Sequence, residues 1–301
     1  MSVQVESVTK LYGRQKALDG VSFTVNSGEI VGILGPNGAG KSTMMKIITG
    51  FLHPDEGTAR INGVLVAGNN LGIRRQIGYL PENNPLYTDL YVTEYLAYVA
   101  GIYKLKQVRS HVNEMLGITG LEREKHKKIG ALSKGYRQRV GIAQALIHDP
   151  SILILDEPTS GLDPSQIVEI RQLIRSLSAH KTVMLSTHIM QEVEALCDRI
   201  MIINRGKIVA TDTPSNIKAL ATSRGQKVLV EFAEQINPDK ILRIEGITGI
   251  QPISEKTWLV QGNDTDIRPL IFRFAVAENL TILTLNRQDS TLENVFLEIT
   301  R

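Results

Sequence analysis

Three short runs of this sequence hold residues whose types and spacing can do phosphate chemistry. Residues 35–42, GPNGAGKS, fit G-x-x-x-x-G-K-[ST]. In that pattern Gly35, Pro36, Asn37, Gly38, Ala39 and Gly40 form a turn whose backbone N–H groups point inward and cradle phosphate oxygens. Lys41 reaches the β- and γ-phosphates and the Ser42 hydroxyl serves Mg²⁺, with Thr43 completing the phosphate-binding set. Residues 152–157, ILILDE, read as an apolar strand ending in two carboxylates. Asp156 is placed to hold Mg²⁺ through water, and Glu157 to polarise an attacking water. Taken alone, ILILDE also fits a strand with a solvated acidic turn; the phosphate loop upstream favours the chemistry. Residues 132–136, LSKGY, open a helix. The Ser133 hydroxyl, the Gly135 N–H and the helix dipole make an anion site there, although the same residues serve an ordinary capped surface helix.

The elements that must carry these runs are legible around them. Glu29 to Leu34 is a short apolar run, a buried strand feeding the glycine turn, and Lys41 to Thr49 has helical spacing. Ser133 is the predicted N-cap of a helix that ends near His148 and stops at Pro150. Asp163, Pro164 and Gln166 supply cap, first-turn proline and capping-box partner for the next helix. Ser151 to Leu155 and Lys181 to Ser186 are further buried strands, and Arg199 to Thr211 a hairpin about Asn204-Arg205-Gly206. Val3 to Thr9, Val21 to Val25 and Gly57 to Val66 read as half-buried strands, the last turning at Asn62-Gly63. Thr93 to Gly101 and Arg109 to Leu116 read as helices, and Thr213-Pro214 starts a short one. Strands alternating with helices predict an α/β fold with a covered sheet, to which the hairpins add an antiparallel β portion. ATSRGQ, residues 221–226, is a polar linker. Beyond it, residues 227–301 hold strand-like runs at Lys227 to Phe232, Thr257 to Gln261 and Leu280 to Leu285, a small α+β C-terminal appendage.

GPNGAGKS, LSKGY, ILILDEP, SGLD (160–163) and STH (186–188) occur in the order found in ATP-binding subunits of ABC transporters, and over about residues 1–220 the chain resembles that family. The resemblance implies a P-loop NTPase fold, the ABC-type nucleotide-binding domain. That fold has a mixed sheet with helices, an antiparallel β portion and a helical signature subdomain at about residues 83–150. It implies ATP and Mg²⁺ as ligands and a head-to-tail dimer with a second ATP-binding subunit, a homodimer, with ATP at the interface. Ser133 and Gly135 of one copy would then close on the γ-phosphate held by the other. Asp163 would couple the two sites, His188 would contact the γ-phosphate, and Tyr12 in KLYGRQKAL would stack on adenine. The membrane partner implied is an integral permease subunit, with this chain peripheral on the cytoplasmic face of the inner membrane. Two departures stand out. Glu82 follows Gly78-Tyr-Leu-Pro where the family has Gln as Mg²⁺ ligand; a carboxylate binds Mg²⁺ but repels phosphate oxygens. Lys134 and Tyr136 replace the family's Gly and Gln in the signature. GYLPENNPLY, LSKGYRQRVG, STHIMQEVEALCDR and DSTLENVFLEIT resemble a subfamily with a short C-terminal extension, whose members serve drug, sodium or polysaccharide export. Within that subfamily the chain resembles the gliding-motility-associated ATP-binding subunits.

Composition limits the rest. The net charge of +3 is spread along the chain and predicts no nucleic-acid partner. The single cysteine, Cys197, excludes an internal disulfide and fits a reducing compartment. The run MSVQVESVTK predicts no secretory signal. Apolar runs such as Ile152 to Leu155 are far shorter than a membrane span, so a membrane role would be peripheral. Tyr87, Tyr91, Tyr95, Tyr98 and Tyr103 follow Glu82 closely and divide between core and partner surface, whereas Lys125-His-Lys-Lys is a solvated loop. Cys197 and Trp258 read as core residues. The rival readings are a non-transport ABC protein and an ATP-binding regulator without turnover. A single cassette, no long coiled coil, and intact Glu157 and His188 stand against them.

Overall fold

The computed structural model describes residues 2–68, 70–222, 226–263, 266–288, 292–293 and 295–296. The chain divides into two compact units, Met1–Pro214 and Ser215–Arg301. The first runs β1 Val3–Tyr12, β2 Gln15–Val25, β3 Ile30–Leu34, α1 Lys41–Ile48, β4 Glu56–Ile61, β5 Val64–Leu65, α2 Leu71–Arg74 and β6 Ile77–Leu80. It continues through α3 Val92–Ile102, α4 Val108–Thr119, α5 Lys134–Leu146, β7 Ile152–Asp156, α6 Pro164–Ser178, β8 Thr182–Thr187, α7 Met190–Leu196, β9 Arg199–Asn204 and β10 Lys207–Asp212. Then come α8 Pro214–Thr222, β11 Gln226–Phe232, α9 Pro238–Leu242, β12 Ile247–Pro252, β13 Thr257–Gly262, α10 Arg268–Ala277 and β14 Ile282–Gln288.

The central sheet has the order β10-β9-β3-β8-β7-β6. β3, β8, β7, β6 and β9 are parallel, and β10 adds an antiparallel edge. Every residue of β3, β7 and β8 is buried, as expected of parallel strands covered on both faces. A second, antiparallel sheet has the order β2-β1-β4-β5. Its apolar face, with Val3, Val5, Leu18 and Ile61, shares one core with α1 and with Ile154 and Met184 of the central sheet. α7 lies tight on β3: a Cβ added at Gly32 would stand 2.6 Å from Val193 and 2.7 Å from Cys197 Sγ. Cys197 is accordingly buried, and burial pushes its thiol up.

The expected hairpins at Asn62-Gly63 and Asn204–Gly206 are present. β6 is a strand beyond those expected from the sequence; it pairs along β7. The capping box at α6 is half made. Asp163 accepts the Gln166 N–H at 2.9 Å. The Gln166 side chain lies instead against Gly135, where an added Cβ would meet it at 2.6 Å.

In the second unit, β11-α9-β12-β13-α10-β14 folds as a split βαβ arrangement with strand order β12-β13-β11-β14. Val228, Val230, Phe232, Ile241, Val260 and Ile271 form its core, with Trp258 packed against them. β12 is a fourth strand beyond the three expected. The linker is shorter than expected: Ala221 and Thr222 finish α8, Gln226 opens β11, and 223–225 lie outside the described residues. Most of DSTLENVFLEIT, 289–300, also lies outside them.

Candidate active site

The phosphate loop joins β3 to α1 at the carboxyl end of the parallel strands. Two of its glycines are required by close approach. A Cβ at Gly35 would stand 2.4 Å from the Ile203 carbonyl oxygen. Gly40 has φ +111°, and a Cβ there would stand 2.5 Å from the Ala17 carbonyl oxygen. The loop borders a cavity of about 540 Å³. Asn37, Gly38, Ala39, Gly40, Lys41, Ser42 and Thr43 line one wall; Tyr12, Glu82, Glu157 and His188 are among the residues that line the others. The structure therefore brings these predicted residues together. Tyr12, at the end of β1, is exposed at the rim, as adenine stacking would need.

Lys41 is buried, and its ammonium donates to the carbonyl oxygens of Gly35 at 2.8 Å and Pro36 at 3.2 Å. It also stands 3.6 Å from Glu157 Oε1. Ser42 Oγ donates to Asp156 Oδ1 at 3.2 Å, and Ser186 Oγ donates to the same oxygen. Glu157 sits at φ +51°, a left-handed backbone that costs a non-glycine residue energy. Its N–H donates to Ser186 Oγ at 3.0 Å, which helps hold that geometry. Glu157 Oε2 meets His188 Nδ1 at 2.9 Å. Burial pushes the Glu157 carboxyl up, while the attraction of His188 and Lys41 holds part of that shift back.

Ser133, Gly135 and Asp163 are not among the described residues that line this cavity. Ser133 caps α5, its Oγ accepting the Tyr136 N–H at 3.4 Å. Asp163 caps α6, and the Gln166 N–H and Ser165 hydroxyl hold its carboxyl below the usual range. The departure at Lys134 has a local effect: its Nζ would stand 2.2 Å from a Cβ at Gly161, so the lysine lies across the SGLD turn. Glu82 is exposed and also borders a neighbouring cavity of about 450 Å³ with Lys134, Arg137 and Gln138. Gln15, Ala17 and Ser160 line the main cavity and were missed in the sequence. Ser160 stands within SGLD, and the other two lie three and five residues beyond Tyr12 in KLYGRQKAL, so proximity to known motifs was the available signal.

The oxygen donors Ser42, Asp156 and Glu82 suit a hard cation. Among the described residues no group of three His, Cys, Asp or Glu could hold a metal by itself. Mg²⁺ is a hard cation of this kind, and it binds through one or two carboxylates together with substrate phosphates.

The sequence pattern of the family described as ABC transporter matches residues 18–160. The linearmycin resistance ATP-binding protein LnrL of Bacillus subtilis is 30% identical over 99% of this chain and 98% of its own length. The bacitracin transport ATP-binding protein BcrA of Bacillus licheniformis is 33% identical over 99% of this chain and 96% of its own. This chain belongs to the ABC transporter ATP-binding proteins. Among solved structures, an ATP-binding subunit of an ABC transporter is 34% identical with TM-score 0.66, covering 73% of this chain and 93% of that one. A dimeric ATP-binding cassette in a post-hydrolysis state with ADP and Pi is 31% identical with TM-score 0.65, covering 70% of this chain and 98% of that one. The P-loop ABC-type fold is thus that of ABC ATPases. No helix of the described residues is long and apolar enough to cross a membrane.

Proposed function

We propose that this subunit hydrolyses ATP between two head-to-tail copies and so drives a separate membrane permease subunit in export. The observation that carries this reading is the placement of Glu157. It is buried beside the phosphate loop, its carboxyl raised toward useful basicity and held by His188 at 2.9 Å. The phosphate loop binds the β- and γ-phosphates, with Lys41 released from its carbonyl partners to the phosphate charge. A water oxygen bonds to the γ-phosphorus as the bond to the bridging oxygen of ADP breaks. Glu157 takes the water proton, and His188 orients the carboxylate and the γ-phosphate. Ser42, Asp156 and Glu82 would hold Mg²⁺, which would neutralise phosphate charge when bound. Ser133 and Gly135 of the second copy close the site from outside, and Asp163 links the two copies. Replacing Glu157 by Gln keeps shape and binding but removes the base. Phosphate release is expected to fall by roughly 10²- to 10⁴-fold with ATP affinity retained; near-normal release would overturn the assignment.

The permease is proposed to dock a short cytoplasmic helix in a groove of about 560 Å³ lined by Phe51, Tyr79, Pro81, Pro85, Val99 and Tyr103. Pro85, Val99 and Tyr103 belong to the segment 83–103 that directly follows Glu82, so the docked helix would sense the γ-phosphate. Exposed Tyr87 and Tyr98 border the same segment. Cross-links from residues 83–103 to the permease in the assembled complex are expected, and efficient cross-linking only from another face would relocate the site. On this proposal the chain would lie on the cytoplasmic face of the inner membrane. We further propose that the domain limits are 1–220 and 227–301. Export as the class of work is supported by relatives named for linearmycin resistance and bacitracin transport. Gliding motility, the finer proposal, is supported by the runs GYLPENNPLY and LSKGYRQRVG. Deleting the gene in a gliding host should abolish gliding, and unchanged gliding would remove that proposal.

A further inference from the structure

A buried carboxylate outside the cavity ties together the two turns that present Glu157 and His188. Glu192, on α7, is 1% exposed. Its Oε1 accepts a hydrogen bond from Thr159 Oγ1, and its Oε2 accepts one from Thr187 Oγ1 at 2.8 Å. Both threonines are themselves buried. Thr187 Oγ1 also accepts the Ile189 N–H at 3.0 Å, so this hydroxyl fixes the backbone on both sides of His188. Thr159 stands two residues beyond Glu157. In the same turn Ser160 N–H donates to the Glu157 carbonyl oxygen at 3.2 Å, and Leu162 N–H to that of Thr159 at 3.2 Å.

Packing alone does not call for a carboxylate here. Val193 and Leu196 of the same helix are buried and seal α7 against the sheet. A carboxylate taken from water is tolerated only where donors replace the water. What it adds over an apolar residue is a directional bond to each turn. We infer that Glu192 is a positioning residue for ATP hydrolysis: it holds the Glu157 turn and the His188 turn in the register that keeps Glu157 Oε2 2.9 Å from His188 Nδ1. The inference rests on the roles proposed above for Glu157 and His188.

The test compares the full-length chain with Glu192→Ala, Glu192→Gln, Thr159→Val and Glu157→Gln. Steady-state ATPase, ATP affinity and thermal midpoint are measured for each. Misplacing a catalytic group by about 1 Å costs on the order of 10²-fold. Glu192→Ala is therefore expected to lower kcat roughly 10- to 100-fold, with KM and ATP affinity near wild type. Glu192→Gln keeps the shape and one acceptor oxygen and should recover most of kcat. Thr159→Val removes only one donor, so it reports on the bridge even if Glu192→Ala does not fold. Adding Glu192→Ala to Glu157→Gln should cost nothing further, since no base remains to misplace. Wild-type kcat in folded Glu192→Ala and Thr159→Val, beside an inactive Glu157→Gln, overturns this inference alone. A loss of kcat that only matches a loss of folded protein overturns it too, leaving Glu192 structural. An active Glu157→Gln overturns the base assignment and this inference with it.

Discussion

The two units of the chain bury their polar groups very differently. In the first, Lys41, Asp156, Glu157, Ser186, Thr187 and Glu192 are all buried, clustered at the carboxyl ends of β3, β7 and β8 and the segments that follow them. In the second, Gln226 is the one buried polar residue among those described. Strand character follows suit: β7 is buried throughout, whereas β11 alternates buried and half-buried residues. Burying polar groups is costly unless each finds a partner, so a protein concentrates them where chemistry needs them. The comparison teaches that the buried polar groups of the proposed hydrolytic site belong to the first unit, whereas the described core of the second is almost wholly apolar.

The sharpest way to break that division is to damage the second unit. Phe232 is fully buried in its core. Replacing it by Ala should destabilise that unit by about 3–5 kcal/mol, while ATP affinity stays at the wild-type value. Calorimetry should show one transition moved and the nucleotide-stabilised one in place. A chain ending at Thr222 should likewise bind ATP. Loss of binding in either protein would show that the units share one cooperative core.

A smaller effect tests the first unit at its exposed edge. Glu82→Gln retains an oxygen of similar reach and should hydrolyse ATP close to wild type. Glu82→Ala should need more Mg²⁺ for half-maximal turnover. Equal Mg²⁺ titrations for both variants would remove Glu82 from the metal set.

The smallest effect concerns protons. His148 stacks on Tyr103 at 3.9 Å between ring centroids, and its Nε2 lies 3.1 Å from the Ile77 carbonyl oxygen. Nε2 therefore carries the hydrogen, and the buried Nδ1 has no partner among the described residues. Burial holds the imidazole below its ordinary pKa of 6.5, helped by the charges of Lys181 and Arg75. The unfolded chain takes up a proton at a pH where the folded chain still refuses it. The stability that His148 gives is therefore complete above about pH 6.5 and lost as pH falls below it. His148→Gln should flatten the fall of the thermal midpoint between neutral and mildly acid pH. An unchanged slope would clear His148.

Much of the first unit was legible because its signals are local. A strand, a glycine turn and a helix are contiguous in residues 30–48, and ILILDE carries its own strand. β6 was missed because Ile77–Leu80 has four residues, too few to show a period, and Pro81 follows. β12 was missed because Gly249 and Pro252 interrupt its pattern; it is an edge strand paired with β13 alone. The Thr159–Glu192 bond spans 33 residues, and nothing local announces it. Gln166 fitted a capping box by spacing, but Gly135 of another helix offered its side chain a closer surface. Long-range packing overrode the local rule.

The position of β3 sets a schedule for the growing chain. This strand carries the phosphate loop, yet both its neighbours, β8 and β9, come from residues 182–204. On a ribosome adding 5–20 residues per second, the loop waits roughly 7 to 30 s for the strands that flank it. Asp156 is likewise bonded to Ser42 before it and Ser186 after it. Until then the glycine-rich turn has no sheet to shape it. Nucleotide binding is thus a late event of synthesis, and a chain stalled before β9 would leave the ribosome exit without a usable ATP site.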